Sequence, residues 1–308
     1  MRQRENRGII GNYQTVTSIN ASGIHSLVDA QQNRGNTSWP IAGIPNLVDI
    51  LLVGGGAGGG IPGDGGSGGA GGGGGYVYYQ QNLTFGAGTW TITVGAGGSP
   101  SSGYSNNGTL SSISGQGNTY SADGGIRNQS YAGPQSGGLS GQTINGVVTN
   151  YTGGSTYVSG GDCYSRAGGG GAGSGGNGGS ASYATGGVGG VGYSSSISGA
   201  SANYGGGGGA GAESTGGAGG AGGGGNGEGG TSNNATAGTA NTGGGGGGAG
   251  GRCNVAGGVN GKSGGSGVVI IRYLNTFNNA SSTTGSPTLT NTGGYKIYTF
   301  TGNGTITF

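Results

Sequence analysis

Between residues 174 and 221 the side chains recur at every third position among glycines: Ser174, Asn177 and Ser180, then Thr185, Val188 and Val191, then Thr215, Ala218 and Ala221. Asp64, Ser67 and Ala70 show the same spacing earlier in the chain. A period of three belongs neither to an α-helix, at about 3.6, nor to a strand, at about 2. It belongs to the polyproline II conformation, which has three residues per turn, a rise of about 3.1 Å and no internal hydrogen bonds. Glycine adopts this shape without proline, and two bare faces out of three let neighbouring backbones bond to each other. The third face then carries a small residue outward or into a gap. An isolated rod is unstable, because ordering costs roughly 1–2 kcal/mol per residue. Packed rods regain about 0.5–1.5 kcal/mol for each lateral backbone bond. The spacing therefore predicts an all-or-nothing array of parallel and antiparallel polyglycine II rods, each of about 6–12 residues.

Composition closes off the other readings of so much glycine. Glycine supplies 93 of the 308 residues and only 6% are charged, so a conventional core cannot carry the whole fold. Collagen needs glycine at every third position without interruption and abundant proline, whereas this chain has 6 prolines and an unbroken run from Gly243 to Gly248. Disordered chains combine low hydrophobicity with high net charge, and the formal charge here is +2.

The predicted fold class is mainly irregular and all-β, with almost no α-helix: a packed polyglycine II array inserted in a small antiparallel sheet or sandwich formed by both chain ends. Thr89 to Val94 alternates strictly, placing Trp90, Ile92 and Val94 on one face. With Tyr76 to Tyr79, Leu83 and Phe85 before a Gly86-Ala87-Gly88 turn, it reads as a hairpin. Val268 to Ile271 reads as a strand covered on both faces. The closing segment reads as a hairpin around Gly302-Asn303-Gly304, with Phe300 opposite Ile306, Thr299 opposite Thr307 and Tyr298 opposite Phe308. Residues 1–47 are taken as an N-terminal attachment or oligomer-contact arm and 48–308 as a glycine-rich domain. Its β base is 48–53, 76–95 and 267–308, and its polyglycine II and loop region is 54–75 and 96–266.

The linking stretches 101–166 and 181–204 are rich in Ser, Asn, Thr and Tyr. Tyrosine with small polar residues is the composition of binding loops, since a rigid amphipathic ring supplies contact area at low entropic cost. The candidate binding residues are Tyr104, Tyr120, Tyr131, Tyr151, Tyr157, Tyr164, Tyr183, Tyr193 and Tyr204. The competing reading is that these rings cap and shield the ends of the array.

Catalytic chemistry finds little support. His25 is the single histidine and the carboxylates are scattered, so no catalytic residue, cofactor or metal is expected. Cys163 and Cys253 are two optional partners rather than a disulfide framework. The stretch from Ala256 to Ser263 approaches a phosphate loop, but has Ala at the leading Gly position and precedes a strand instead of a helix. Arg127, Arg166, Arg252 and Arg272 do not cluster in sequence, so nucleic acid is not an expected partner. The opening MRQRENRGII lacks a secretory apolar stretch, and neither 44–53 nor 267–271 approaches the ~20 residues of a membrane span. Neither Sec export nor membrane insertion is expected.

Four segments carry a family resemblance: Leu51 to Gly60 (LLVGGGAGGG), Thr89 to Gly98 (TWTITVGAGG), Gly264 to Tyr273 (GGSGVVIIRY) and Tyr298 to Thr305 (YTFTGNGT). In this order they resemble the glycine-rich domain of tail-fibre and fibre-tip adhesin proteins of tailed phages, over about residues 48–308. Gly23-Ile24-His25-Ser26-Leu27 through Trp39-Pro40 is similar to a stretch that precedes this domain in marine phage fibres. The resemblance implies a virion protein assembled in the host cytoplasm, with recognition loops at one end of a polyglycine II sandwich. It implies other virion or tail proteins as partners, a host surface glycan or outer-membrane protein as receptor, and a homo-oligomer, with a trimer favoured. The chain departs from the family in lacking a long fibre shaft. Two alternatives stand beside it: a purely architectural decoration or filament subunit, and an ice-binding polyglycine II protein, which would need a flat, regular face of small residues.

Overall fold

A computed structural model describes residues 44–61, 68–102, 104–127, 136–158, 166–230, 234–251 and 261–308. The 16 strands in them are β1 (Val48–Val53), β2 (Gly60–Ile61), β3 (Val77–Leu83), β4 (Thr89–Thr93), β5 (Ser101–Ser102), β6 (Ser111–Gly115), β7 (Asn118–Ala122) and β8 (Ser140–Ile144), followed by β9 (Val147–Tyr151), β10 (Tyr193–Ser195), β11 (Ala202–Tyr204), β12 (Val268–Leu274), β13 (Ser282–Thr284), β14 (Thr288–Thr292), β15 (Tyr295–Phe300) and β16 (Gly304–Thr307). No helix occurs among the described residues.

Two sheets face each other at one end of the molecule. One has seven strands in the order β14-β15-β12-β1-β3-β8-β9, and the other has five in the order β13-β16-β4-β6-β7. Val48, Ile50 and Leu52 of β1, Val269 and Ile271 of β12, and Phe300 of β15 meet Trp90 and Ile92 of β4, Ile113 of β6 and Ile306 of β16 in one core. The opposite face of the seven-stranded sheet is also covered. Leu51, Val53, Val268 and Ile270 pack beneath Ile197 and Tyr204 of the small β10–β11 hairpin. Burial on both faces explains why Ile50 to Val53 of β1 and Val268 to Ile271 of β12 are continuous apolar runs, whereas β4, with one face to solvent, alternates. Chain ends and middle thus pair in one body: β1 lies between β12 and β3.

Neither expected hairpin forms. β15 pairs with β12 and β14, while β16 pairs with β4 and β13, so residues 301–303 carry the chain across from one sheet to the other. Phe300 and Ile306 are both fully buried, but they come from opposing sheets rather than standing side by side in one. The segment between β3 and β4 crosses in the same way, and Phe85 stacks on Trp90 with ring centroids 4.0 Å apart. Alternation specifies which side chains turn inward, and a crossing between sheets satisfies it as well as a hairpin does. Besides β10–β11 and β14–β15, two hairpins form that the sequence reading did not expect: β6–β7, turning on Gln116-Gly117, and β8–β9, turning on Asn145-Gly146; all four turn residues have positive φ. Both were read from the sequence as linking material.

The glycine runs leave this sandwich as rods, and their bonding has the expected threefold pattern. In residues 54–60 the N–H groups of Gly54, Ala57 and Gly60 donate to the carbonyls of Tyr76, Gly73 and Ala70. Those of Gly55 and Gly58 donate to Thr109 and Asn106, and those of Gly56 and Gly59 to Gly265 and Lys262. Each third residue therefore returns to the same neighbour, at 2.8–3.0 Å throughout. The rod 205–212 lies deepest in the array. Between Gly205, which donates to Thr242, and Ala212, which accepts from Gly230, it donates to 187–190, 69–72 and 222–228 and accepts from 168–174, 217–220 and 245–248, so it is surrounded on all sides by other rods.

The packing explains which rods show side chains. The enclosed rods 54–60, 68–75, 205–212 and 243–251 are buried along their length and contain only glycine and alanine. Outer rods turn their third residue to solvent: Asn177, Ser180, Val188, Val191, Thr215, Ala218 and Ala221 are all exposed. Ser174 is the exception. It is buried, its hydroxyl donates to the Tyr204 carbonyl at 2.7 Å and accepts from the Tyr193 N–H at 3.1 Å, and so it ties a rod to the β10–β11 hairpin. Ser111 makes a similar junction where β1 becomes a rod, donating to Val53 O at 2.6 Å and accepting from Gly95 N–H at 2.9 Å. Asp64 and Ser67 lie outside the described residues.

A Cβ at Gly208 would sit 2.1 Å from the Gly246 carbonyl oxygen, whereas one at Gly302 would meet nothing within 4 Å. Gly208→Ala is expected to lower the unfolding free energy by roughly 3 kcal/mol or more, and Gly302→Ala to change it by less than about 0.5 kcal/mol. Thermal or denaturant unfolding of the two variants checks this, and equal stabilities would count against a close-packed array.

Candidate recognition surface

The rods give the molecule two unlike ends. β1 runs into rod 54–60 and rods 68–76 and 261–267 run back into β3 and β12, so the sandwich closes one end. The other end is marked by a layer of mutual bonds: Gly60 with Ala70 and Ser101, Ala167 with Tyr157 and Ala212, Ala212 with Gly229, and Thr185 with Thr215. Turns between rods emerge beyond this layer.

Three of the nine candidate tyrosines are at this far end. Tyr104 is 43% exposed, with the Arg127 guanidinium 4.9 Å from its ring centroid. Arg127 is held in turn by its N–H, which donates to Asn107 Oδ1 at 2.9 Å, and by Nη1, which donates to the Ser105 carbonyl at 3.2 Å. Tyr183, on the turn between Ser182 and Thr185, is 64% exposed and meets Tyr157 edge-on at 6.3 Å. Tyr183 and Tyr104 are thus presented by backbone that the array holds from beneath.

Four others are part of the body near the sandwich. Tyr120 is tilted against Tyr78 at 6.0 Å on the edge of the core. Tyr151 is on β9, and its hydroxyl accepts from Gln142 Nε2 at 3.2 Å. Tyr193 lies 6.2 Å from Tyr79, and Tyr204 is only 7% exposed within the second apolar cluster. These four pack on the strands and apolar clusters of the body and are not at the far end. Tyr131 and Tyr164 lie outside the described residues, as do His25, Cys163 and Cys253. Arg127 is the residue that sequence reasoning passed over, because it looked for clustered arginines rather than one arginine against one ring.

Below the far end, rods 215–221 and 224–229 border an open groove of about 460 Å³, lined by Ser214, Thr215, Ala218, Asn226, Asn234 and intervening glycines. Among the described residues, no ionisable side chain lines it.

At the opposite extremity the chain enters the sandwich through residues 44–47. There Leu47 and Leu274 are exposed, and Asp49 pairs with Arg272 at 2.7 Å while that guanidinium lies 4.5 Å from the Tyr295 ring centroid.

A family model described as "Glycine-rich domain" matches residues 31–274, most of the chain. The chain belongs to that family. The match covers the rods and β1 to β12 and stops at Leu274, so the crossing to β16 lies past it. No curated protein and no solved structure matches this glycine-rich chain.

Tyrosines built into the body have a measurable signature. Burial raises the pKa of Tyr193, and burial followed by the Asp49 charge raises that of Tyr79, with Arg272 opposing. Tyr273 is pushed furthest, by burial and then by its hydrogen bond to Tyr298. These phenols hold their protons more tightly folded than unfolded, so their contribution to stability is complete below the unfolded value of about 10 and is lost as pH rises above it. Unfolding free energy is expected to be level up to about pH 9 and to fall steadily above about pH 10. Tyr273→Phe should flatten that fall, as followed by denaturant titration at several alkaline pH values.

Proposed function

We propose that this chain is a non-enzymatic structural and adhesive component of a tailed-phage virion, a tail-fibre or fibre-tip protein that recognises a host cell surface. The observation that carries this reading is the separation of the two ends. Residues 44–47 enter at the foot of the sandwich, and the exposed rings of Tyr104 and Tyr183 stand at the opposite end of the rods. Six residues of β1 followed by seven of the first rod span roughly 40 Å at about 3.3 and 3.1 Å per residue. Such a body holds a receptor-binding end away from an attachment end without a flexible joint between them. Residues 1–47 serve as the attachment arm to another virion protein or to further copies of the chain, with a trimer as the favoured assembly. The receptor is a surface glycan or an outer-membrane protein.

One observation favours a second reading, ice binding. Rods 185–191 and 215–221 run parallel, with Gly186, Gly189 and Gly192 donating to Thr215, Ala218 and Ala221. Thr185, Val188 and Val191 thereby line up beside Thr215, Ala218 and Ala221, at a repeat of about 9 Å along each rod. That reading gives no role to the exposed tyrosines at the far end. Thermal hysteresis of the purified chain, abolished by Val188→Lys, would be its signature.

For the adhesin reading, purified chain should bind host cells and protect them from adsorption of the phage. Tyr104→Ala and Tyr183→Ala together should weaken cell binding by at least about tenfold, since buried aromatic anchors at an interface cost about 2 kcal/mol or more when truncated. Retained cell binding at unchanged thermal stability would sink the role of this end.

A further inference from the structure

The groove between rods 215–221 and 224–229 has a construction that neither packing nor the exposed tyrosines explains. Its floor is backbone, because Gly216, Gly217, Gly227 and Gly229 carry no side chains, and it reaches upward to Ser214 and Asn234 at the far end. On one side Asn226 accepts the Gly219 N–H on Oδ1 at 2.9 Å, and Asn234 accepts the Gly229 N–H on Oδ1 at 3.1 Å. An amide whose oxygen is pinned in this way has a fixed orientation, and its Nδ2 group remains to donate. Neither Nδ2 has an acceptor among the described residues. Across the groove the main-chain N–H groups of Gly216 and Ala218 donate to no carbonyl among the described residues, and the hydroxyls of Ser214 and Thr215 stand beside them.

We infer that this groove is a binding site for a neutral saccharide, with Asn226 and Asn234 as the donors that select it. Several oriented donors with hydroxyls between them suit a ligand rich in hydroxyl and ring oxygens. The volume of about 460 Å³ is in the range of small-molecule sites and fits a short oligosaccharide lying along the rods. A charged ligand is disfavoured: among the described residues no ionisable side chain lines the groove, and the ionisable residues of the stretch 213–230, Glu213 and Glu228, are both acidic. The bare glycine floor lets a sugar ring approach the backbone between the flanking side chains. This inference rests on the host-surface reading above, to which it adds the chemical class of the ligand.

The test uses the full chain, titrated with the neutral trisaccharides maltotriose, cellotriose and triacetylchitotriose by calorimetry and ligand-observed NMR. Asn226→Asp and Asn234→Asp keep the oxygen that holds the glycine N–H and exchange the Nδ2 donor for an acceptor. Each should weaken the saccharide that binds by about tenfold, the loss expected for one hydrogen bond, at unchanged melting temperature. Ala218→Gln, at an exposed position on the rim, should obstruct the groove and also abolish binding. Absence of binding by all three sugars at millimolar concentration, binding of inorganic sulfate instead, or equal binding by the Asp variants would each overturn the assignment. Cell binding measured on the same samples separates the two ideas. Cells bound without saccharide sinks only the groove, and saccharide bound without cells sinks only the host-surface reading.

Discussion

Everything in this structure depends on how closely two peptide backbones can approach when neither carries a side chain. The enclosed rods stand so near one another that a single added carbon would fall within about 2 Å of a neighbouring carbonyl oxygen at Gly71, Gly208 and Gly245. At that separation each residue in turn offers its N–H to a different neighbour, and the array is held by main-chain bonds in three directions. Each bond is worth little on its own, and the conformational cost of ordering glycine is high. The balance is favourable only when nearly every group is paired. An array of this kind forms as a unit, because a rod with a missing neighbour leaves about a third of its N–H groups, or of its carbonyls, without a partner at once.

The β-sandwich supplies what the rods lack. It buries Trp90, Tyr273, Phe85 and Phe300 in an ordinary hydrophobic core, where the non-directional burial of apolar area carries the free energy. It also sets the spacing of the first rods, since β1, β3 and β12 are adjacent in one sheet and each continues directly into a rod. Ser111 and Ser174 sit at the seam between the two kinds of packing, each hydroxyl satisfying a carbonyl and an N–H that belong to neither lattice. The seam needs such residues because a β ladder bonds in one plane and the rods bond in three directions.

This construction separates stability from recognition. Interior rods tolerate almost no side chain, so chemical variety is confined to outer rods, to the turns at the far end and to the foot of the sandwich. Tyr104, Tyr183, Asn226 and Asn234 all occupy such permitted positions. The exposed residues can change without disturbing the bonds beneath them.

Much of the fold was legible before any coordinates. The spacing of three among glycines indicated threefold rods, the unbroken apolar text of Val268 to Ile271 indicated a strand covered on both faces, and the alternation around Trp90 indicated its buried side. The Asn145-Gly146 pair was a hairpin signal standing in plain view, obscured by the Ser- and Thr-rich text around it. The tyrosines were legible as a set and not one by one: nothing in the text near Tyr204 distinguishes it from Tyr183, yet one is buried and the other exposed. The sequence by itself determined local conformation and the facing of side chains, because period, bare faces and turn residues act within a few positions of the chain. Only the tertiary structure decided that Phe300 and Ile306 meet across two sheets, which rods are enclosed, and that Asn226 borders a groove, because these depend on partners more than a loop away and on backbone bonds that carry no side-chain signature.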